Sequence, residues 1–165
     1  MGVAKIKESM MHTKKLQFIN LDEIQKLTDI IHDMWFNTDW IIFNQAESIL
    51  TIPFGEVQYS KARMVANYVL LRKYTAVVAK SCLRVHNVKH YELFDRSKIG
   101  TYDFNDIKYL NGHITITTCE DLTIDVASDE FMIEIERTDE IIGEYQFRLI
   151  LGIECGVNLK FDSKI

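Results

Sequence analysis

Proline and glycine are scarce in this chain. Pro53 is the only proline, and the seven glycines are scattered singly along the 165 residues. A phosphate-binding loop needs clustered glycines, so the sequence argues against a nucleotide-dependent enzyme. Because no Pro/Gly-rich linker and no internal repeat are present either, residues 1–165 are predicted to form a single domain. Residues 1–15 are predicted to be a mobile basic arm, and residues 160–165 a tail.

Cysteine and long apolar runs are also in short supply. Cys82, Cys119 and Cys155 are odd in number and widely spaced, which argues against a disulfide framework and against a Cys-x-x-Cys zinc site. No apolar run approaches the roughly 18 residues of a transmembrane helix, and the N-terminus lacks the apolar stretch of a secretory signal. The sequence predicts a cytoplasmic protein, with no membrane as a partner.

Catalytic motifs are missing. No Gly-x-Ser-x-Gly occurs, and no serine or cysteine has a neighbouring base that the sequence identifies, so no catalytic residue is assigned. His86 and His90 would share one face of a strand with Glu92, and such a set could hold zinc or iron. The motif stands among lysines, which would repel a cation, and it lacks the glutamate of His-Glu-x-x-His. We therefore predict no metal and no cofactor, and whether His86 and His90 bind a metal stays open.

Alternation of apolar and polar side chains is the clearest pattern that the sequence contains. It covers three consecutive segments, in which Ile114 and Ile116, then Leu122, Ile124 and Val126, then Phe131, Ile133 and Ile135 share one parity. Successive side chains of a strand point to opposite faces, so this pattern predicts an antiparallel sheet covered on one side. Asn111-Gly112 accepts the two positive φ angles of a type I′ turn and predicts a tight hairpin.

The predicted fold class is α+β, with one helix and a predominantly antiparallel sheet. Apolar residues at helical spacing predict an N-terminal amphipathic helix at about 21–36, with a stripe made by Ile24, Leu27, Ile31, Met34 and Trp35. The β-branched and aromatic content of 61–82 favours strands over a helix. We expect the helix to pack on a sandwich or roll of about eight or nine strands. Trp35 and Trp40 are predicted to lie in the core; the alternative is an exposed anchor for a partner.

The net charge of −5 conceals a segregation of charge. The interval from Lys61 to His90 contains seven Lys and Arg residues and no acid, whereas Glu120 to Glu144 contains ten acids and one base. One interpretation is that the two stretches lie side by side and form cross-strand ion pairs. The polar parity of Asp125, Glu134 and Glu136 predicts that these carboxylates are solvated.

The other interpretation of the basic stretch is a nucleic-acid face with Tyr68, Tyr74 and Tyr91 interleaved. The negative net charge and the missing recognition motifs oppose it. The function predicted is a non-enzymatic module that binds another protein, or itself in a homodimer, through an exposed sheet face or edge. The alternative is a small-ligand binder or enzyme with its site in a β-barrel mouth or a cleft.

Overall fold

The computed structural model describes residues 15–161, which form mostly antiparallel β-sheet and one short helix. This confirms the predicted class of fold at that level. Twelve strands lie in the described residues: β1 Lys15–Phe18, β2 Trp35–Asn37, β3 Ile42–Asn44, β4 Ile49–Val57, β5 Arg63–Asn67, β6 Leu71–Val85, β7 Val88–Asp95, β8 Thr101–Leu110, β9 His113–Thr118, β10 Leu122–Ser128, β11 Ile133–Ile150 and β12 Ile153–Phe161. Most of the segment 61–82 therefore forms strands, as predicted, but residues 68–70 form the turn between β5 and β6. Most of the predicted arm and tail lies outside the described residues, although Lys15 begins β1 and Lys160 belongs to β12.

The helix is shorter than the sequence pattern predicted. Helix α1 spans Ile24–Ile31 and follows a 3-10 turn at Leu21–Glu23. The predicted end at residue 36 is wrong, because Asp33 takes a φ of 63° and stops the helix. The next residues form β2, which pairs with Asp103, Tyr102 and Thr101 of β8. Other 3-10 turns lie at Thr38–Trp40 and Tyr59–Lys61. Among residues 15–161, none of the helices has the length and apolarity that crossing a membrane requires.

Strand β2 also changes which aromatic residue enters the core. Phe36 is fully buried and stacks on Phe104, with ring centroids 4.4 Å apart. Trp35 and Trp40, predicted to lie in the core, are only half-buried. A strand places alternate side chains on opposite faces, so burying Phe36 turns Trp35 away from the core.

The described chain divides into two compact units. Unit 1 contains residues 15–54 and 81–137, and unit 2 contains residues 55–80 and 138–161. The chain passes from one unit to the other inside strands β4, β6 and β11.

Unit 1 carries the main hydrophobic core. Its strands follow the order β1-β11-β6-β4-β2-β8-β9-β10-β7, and Leu27 and Ile31 of α1 are buried in the same core. The predicted alternation is confirmed, because the apolar residues of that shared parity are all buried: Ile114, Ile116, Leu122, Ile124, Val126, Phe131, Ile133 and Ile135. The predicted hairpin is also present, since Asn111 and Gly112 join β8 to β9 with φ angles of 51° and 79°.

Unit 2 contains two antiparallel hairpins, β5–β6 and β11–β12. A cluster of four aromatic rings packs within this unit. Tyr74 stacks on Phe147 with centroids 5.2 Å apart, and Tyr59 meets Tyr145 and Phe147 edge-on. Tyr145 also donates a hydrogen bond of 2.6 Å to Glu154. Burial, Glu154 and Tyr59 raise the pKa of the Tyr145 hydroxyl, so it stays protonated and donates throughout the physiological range.

Candidate functional site

Ion pairs join part of the basic stretch to the acidic stretch, as the cross-strand interpretation predicted. Arg84 contacts both Glu134 and Glu136, Lys80 contacts Glu140 at 3.2 Å, and Lys89 contacts Asp129 at 2.6 Å. Each pair joins a base from 61–90 to an acid from 120–144. The solvent-exposed pairs among them stabilise the fold little, but they help to select one strand register among several.

Glu134 departs from the predicted solvation. It is 3% exposed, and its carboxylate accepts a hydrogen bond from Arg84 at 3.1 Å and lies 2.9 Å from the Lys15 ammonium. Burial raises the pKa of Glu134, but the hydrogen bonds from Lys15 and Arg84 outweigh burial and bring that pKa below its ordinary value. The prediction of a solvated carboxylate is wrong here, because the side chains of Lys15 on β1 and Arg84 on β6, the two strands beside β11, lie against the Glu134 carboxylate.

His86 and His90 do not share one face of a single strand, as the sequence predicted. Asn87 takes a φ of 58°, so His86 lies in the turn after β6 whereas His90 lies within β7. The His86 imidazole is 4.0 Å from the Glu134 carboxylate, and His90 is exposed opposite Ala127 of β10. In the part of the chain that the structure describes, no three His, Cys, Asp or Glu side chains come together as metal ligands would.

Four bases of the basic stretch remain after these pairs are removed. Lys61, Arg63, Arg72 and Lys73 form no ion pair with any described residue, and all lie on or beside hairpin β5–β6. The interleaved tyrosines do not line them as a stacking platform. Tyr74 is packed on Phe147, and Tyr91 meets Phe43 edge-on at 5.7 Å; Tyr68 is exposed near the Lys73 ammonium.

The tips of the two hairpins of unit 2 meet and expose apolar side chains. The Leu151 amide donates a hydrogen bond of 3.3 Å to the Leu70 carbonyl oxygen. Val69 is 100% exposed and Leu151 is 75% exposed. We call the exposed apolar residues at these two tips the tip patch: Val69, Leu70, Ile150, Leu151 and Ile153. A groove of about 260 Å³ between the tips is lined by tip-patch residues together with Arg72, Leu149 and Gly152.

The backbone at the β11–β12 tip is unusual for the residue that it holds. Leu151 and Gly152 have φ angles of 51° and 83°, so they occupy a two-residue turn with both φ angles positive. Such turns favour asparagine or glycine at the first position, because the left-handed conformation costs a residue with a bulky side chain about 1 kcal/mol or more. The chain places a leucine there and leaves its side chain in solvent. Leucine at this position therefore costs local stability, and a side chain that is 75% exposed gains little packing in return.

A second groove lies wholly in unit 1. It measures about 620 Å³ and is lined by Phe94, Asp95, Arg96, Asp121 and Thr123. We call it the acidic groove, because Glu92 and Asp125 lie next along the same face of β7 and β10. Phe94, opposite Thr123, is 54% exposed. Hydrogen bonds from Tyr102 and from the Lys98 amide lower the pKa of Asp95, which keeps that carboxylate charged.

Sequence reasoning did not find the tip patch. The composition of 61–82 favours strands throughout, so it does not predict that Val69 and Leu70 lie at an exposed tip. The available signal was the pair Leu151-Gly152 between Ile150 and Ile153, which has the spacing of a two-residue turn. Comparison with protein-family models, curated proteins and solved structures found no match for this chain.

Proposed function

We propose that this chain is a non-enzymatic protein-interaction module whose docking surface is the tip patch of unit 2. Its partner presents an apolar pocket with an acidic rim. The observation that carries the proposal is Leu151, an exposed leucine held in a left-handed turn position that asparagine would occupy at lower cost. Folding gives no reason for this choice of residue, whereas insertion of an apolar anchor into a partner does.

Two basic residues beside the tip patch indicate that the partner's surface is acidic. Arg72 lines the groove between the tips, and Lys73 follows it on β6. Neither forms an ion pair with a described residue, so both are available to a partner's carboxylates. Such charges raise the rate of association and orient the partner more than they add affinity. Binding is therefore expected to weaken as the salt concentration rises.

Capture from a lysate with matched variants tests this function. The wild-type chain, Leu151→Asn and Leu110→Asn serve as immobilised baits. Leu110 is a suitable control, because it is 70% exposed and adjoins the Asn111-Gly112 turn of unit 1. We expect a protein that the wild type and L110N retain at low salt, that L151N does not retain, and that high salt releases. Retention of the same proteins by L151N would contradict the proposal.

A second candidate function is a small-ligand site in a cleft, and the acidic groove of unit 1 is the observation that favours it. Four carboxylates in or beside this groove outnumber the Arg96 guanidinium and the Lys98 ammonium, which suits a small cationic ligand rather than an anion. A thermal-shift screen of metabolites with the wild type and Phe94→Lys tests it. A compound that stabilises the wild type but not F94K would support this function.

We also propose the domain organisation, the arrangement of the sheet of unit 1 and the cellular location. Residues 1–165 form one domain, supported by the chain crossing between units inside strands β4, β6 and β11. The sheet of unit 1 curves into a sandwich or roll over which α1 packs, supported by the single buried cluster that these elements share. A cytoplasmic location is proposed on the odd number and wide spacing of the cysteines.

A further inference from the structure

We propose that the tip patch of one copy docks into the acidic groove of a second copy, so that the chain associates head to tail. This inference rests on the proposed function and names its partner. Each of the two surfaces lies within its own unit, and they differ in charge and in shape.

Charge complementarity supports this pairing. The acidic groove contains Asp95 and Asp121 with one base, Arg96, and Glu92 and Asp125 lie next to it. The Lys98 ammonium is near Asp95, so four acids face two bases. Asp95 stays ionised because Tyr102 and the Lys98 amide hydrogen-bond to it. His113 and Thr115 contact Asp125, which leaves Glu92 and Asp121 as the more exposed carboxylates. A tip bearing Arg72 and Lys73 would find opposite charges on either side of its apolar end.

The apolar surfaces match as well. Phe94 projects from the outer face of β7, and 54% of its surface is exposed to solvent. Val69 and Leu151 are the most exposed members of the tip patch and would cover that ring. A flat aromatic ring beside a groove of about 620 Å³ accepts a projecting hairpin tip better than a second flat face.

A symmetric contact of two tip patches is disfavoured by the same charges. It would bring Arg72 and Lys73 of one copy against those of the other, and like charges in contact cost free energy. The remaining contact is between different surfaces of identical chains, which repeats and builds open chains or rings rather than stopping at a dimer. The contact is small, so its Kd is expected to be on the order of micromolar or weaker.

Sedimentation velocity of the full chain over about 10–200 µM tests the inference. We expect the wild type and L110N to sediment faster as concentration rises at low salt, and this rise to be lost at high salt. Leu151→Asn removes the tip anchor, and Phe94→Lys places a cation in the groove. Each variant alone should remain a monomer over the whole range.

The decisive measurement is an equimolar mixture of L151N and F94K. L151N still has an intact groove and F94K still has an intact tip, so the mixture should form a one-to-one dimer that grows no further. A mixture that stays monomeric while the wild type associates would overturn the head-to-tail contact. So would association of L151N or F94K alone.

Failure of this inference is distinct from failure of the proposed function. A wild type that is monomeric at every concentration, together with lysate capture that depends on Leu151, would exclude the second copy as partner and leave the docking surface intact. Capture that ignores Leu151, together with a monomeric wild type, would overturn both.

Discussion

The guanidinium of Arg84 lies 3.1 Å from the carboxylate of Glu134, which is almost wholly buried between strands β1 and β6. Arg84 also contacts Glu136, two residues further along β11. One base on β6 thus holds two acids that share a face of the neighbouring strand, because side chains repeat on a face every second residue. A slip of one residue would move both acids to the core face.

Glu134→Gln should destabilise unit 1, because it leaves the Arg84 and Lys15 cations without their shared carboxylate. We expect a loss of about 2 kcal/mol, since Arg84 keeps Glu136 and is partly exposed. The folded pKa of Glu134 is lowered, so its stabilising contribution is present above the unfolded value of about 4.5 and is lost as the pH falls through the folded pKa. Urea unfolding at pH 7 and pH 3 measures the difference, which should shrink at pH 3.

Arg84→Met provides the matched partner for a double-mutant cycle. The losses of unfolding free energy in E134Q and in R84M should add up to more than the loss in the double variant E134Q/R84M. The reason is that the double variant leaves no guanidinium without its carboxylate. Additive losses would show that the two side chains do not interact.

Leu151→Asn should raise the free energy of unfolding by about 1 kcal/mol, because asparagine adopts a φ of 51° at lower cost than leucine. The same chain supplies the reverse experiment. Asn111 has the same φ of 51° before a glycine, so Asn111→Leu should lower stability by a similar amount. Thermal and urea unfolding of both variants measure this. A Leu151→Asn variant less stable than the wild type would remove the argument that Leu151 is kept for binding.

The sheet of unit 1 was predictable because its signal is local and repeated. Ile114, Ile124 and Ile133 each sit in a run of alternating residues, and Asn111-Gly112 fixes a turn without tertiary help. The end of the helix was not predictable in this way. Met34 and Trp35 continue the helical spacing, but the positive φ of Asp33 and the pairing of β2 with β8 override it.

The candidate site was harder to predict, because it depends on which charges find partners. The sequence shows the basic stretch. It does not show that Arg84 forms ion pairs, whereas Arg72 forms none with the residues that the structure describes. Burial of Glu134 likewise depends on β1, which comes from the opposite end of the chain. The tip patch arises where two hairpins distant in sequence meet, at Leu70 and Leu151.

Ile124→Ala tests the core parity on which the fold depends. Ile124 is fully buried, so we expect a loss of about 2–5 kcal/mol from the missing contacts and the cavity left behind. Thr123→Ala is the control, because Thr123 lies on the opposite face of β10 and should change stability by less than about 0.5 kcal/mol. Equal effects of the two substitutions, measured by urea unfolding, would contradict the assignment of the core face.

Asp103→Asn should stabilise the protein at neutral and alkaline pH. Burial first, and then the charges of Glu120 and Asp33, raise the pKa of Asp103 to about 6. The folded chain therefore holds a proton that the unfolded chain has lost between about pH 4 and pH 6, and stability falls as the pH rises through that window. Asp103 is only half-buried, so solvent screening reduces the expected gain at pH 8 to about 1 kcal/mol.

Urea unfolding at pH 8 and pH 4 checks the sign of this effect. The gain of D103N over the wild type should be largest at pH 8 and near zero at pH 4, where the wild-type carboxyl is already neutral in the folded chain. Glu120→Gln is the matched variant, because its side-chain oxygen still accepts the hydrogen bond that the Asp103 amide donates at 3.1 Å. Since that variant removes only the charge, it should reproduce part of the gain at pH 8. A D103N variant that loses stability at pH 8 would contradict this account. It would show that the folded protein stabilises the charged form of Asp103 rather than disfavouring it.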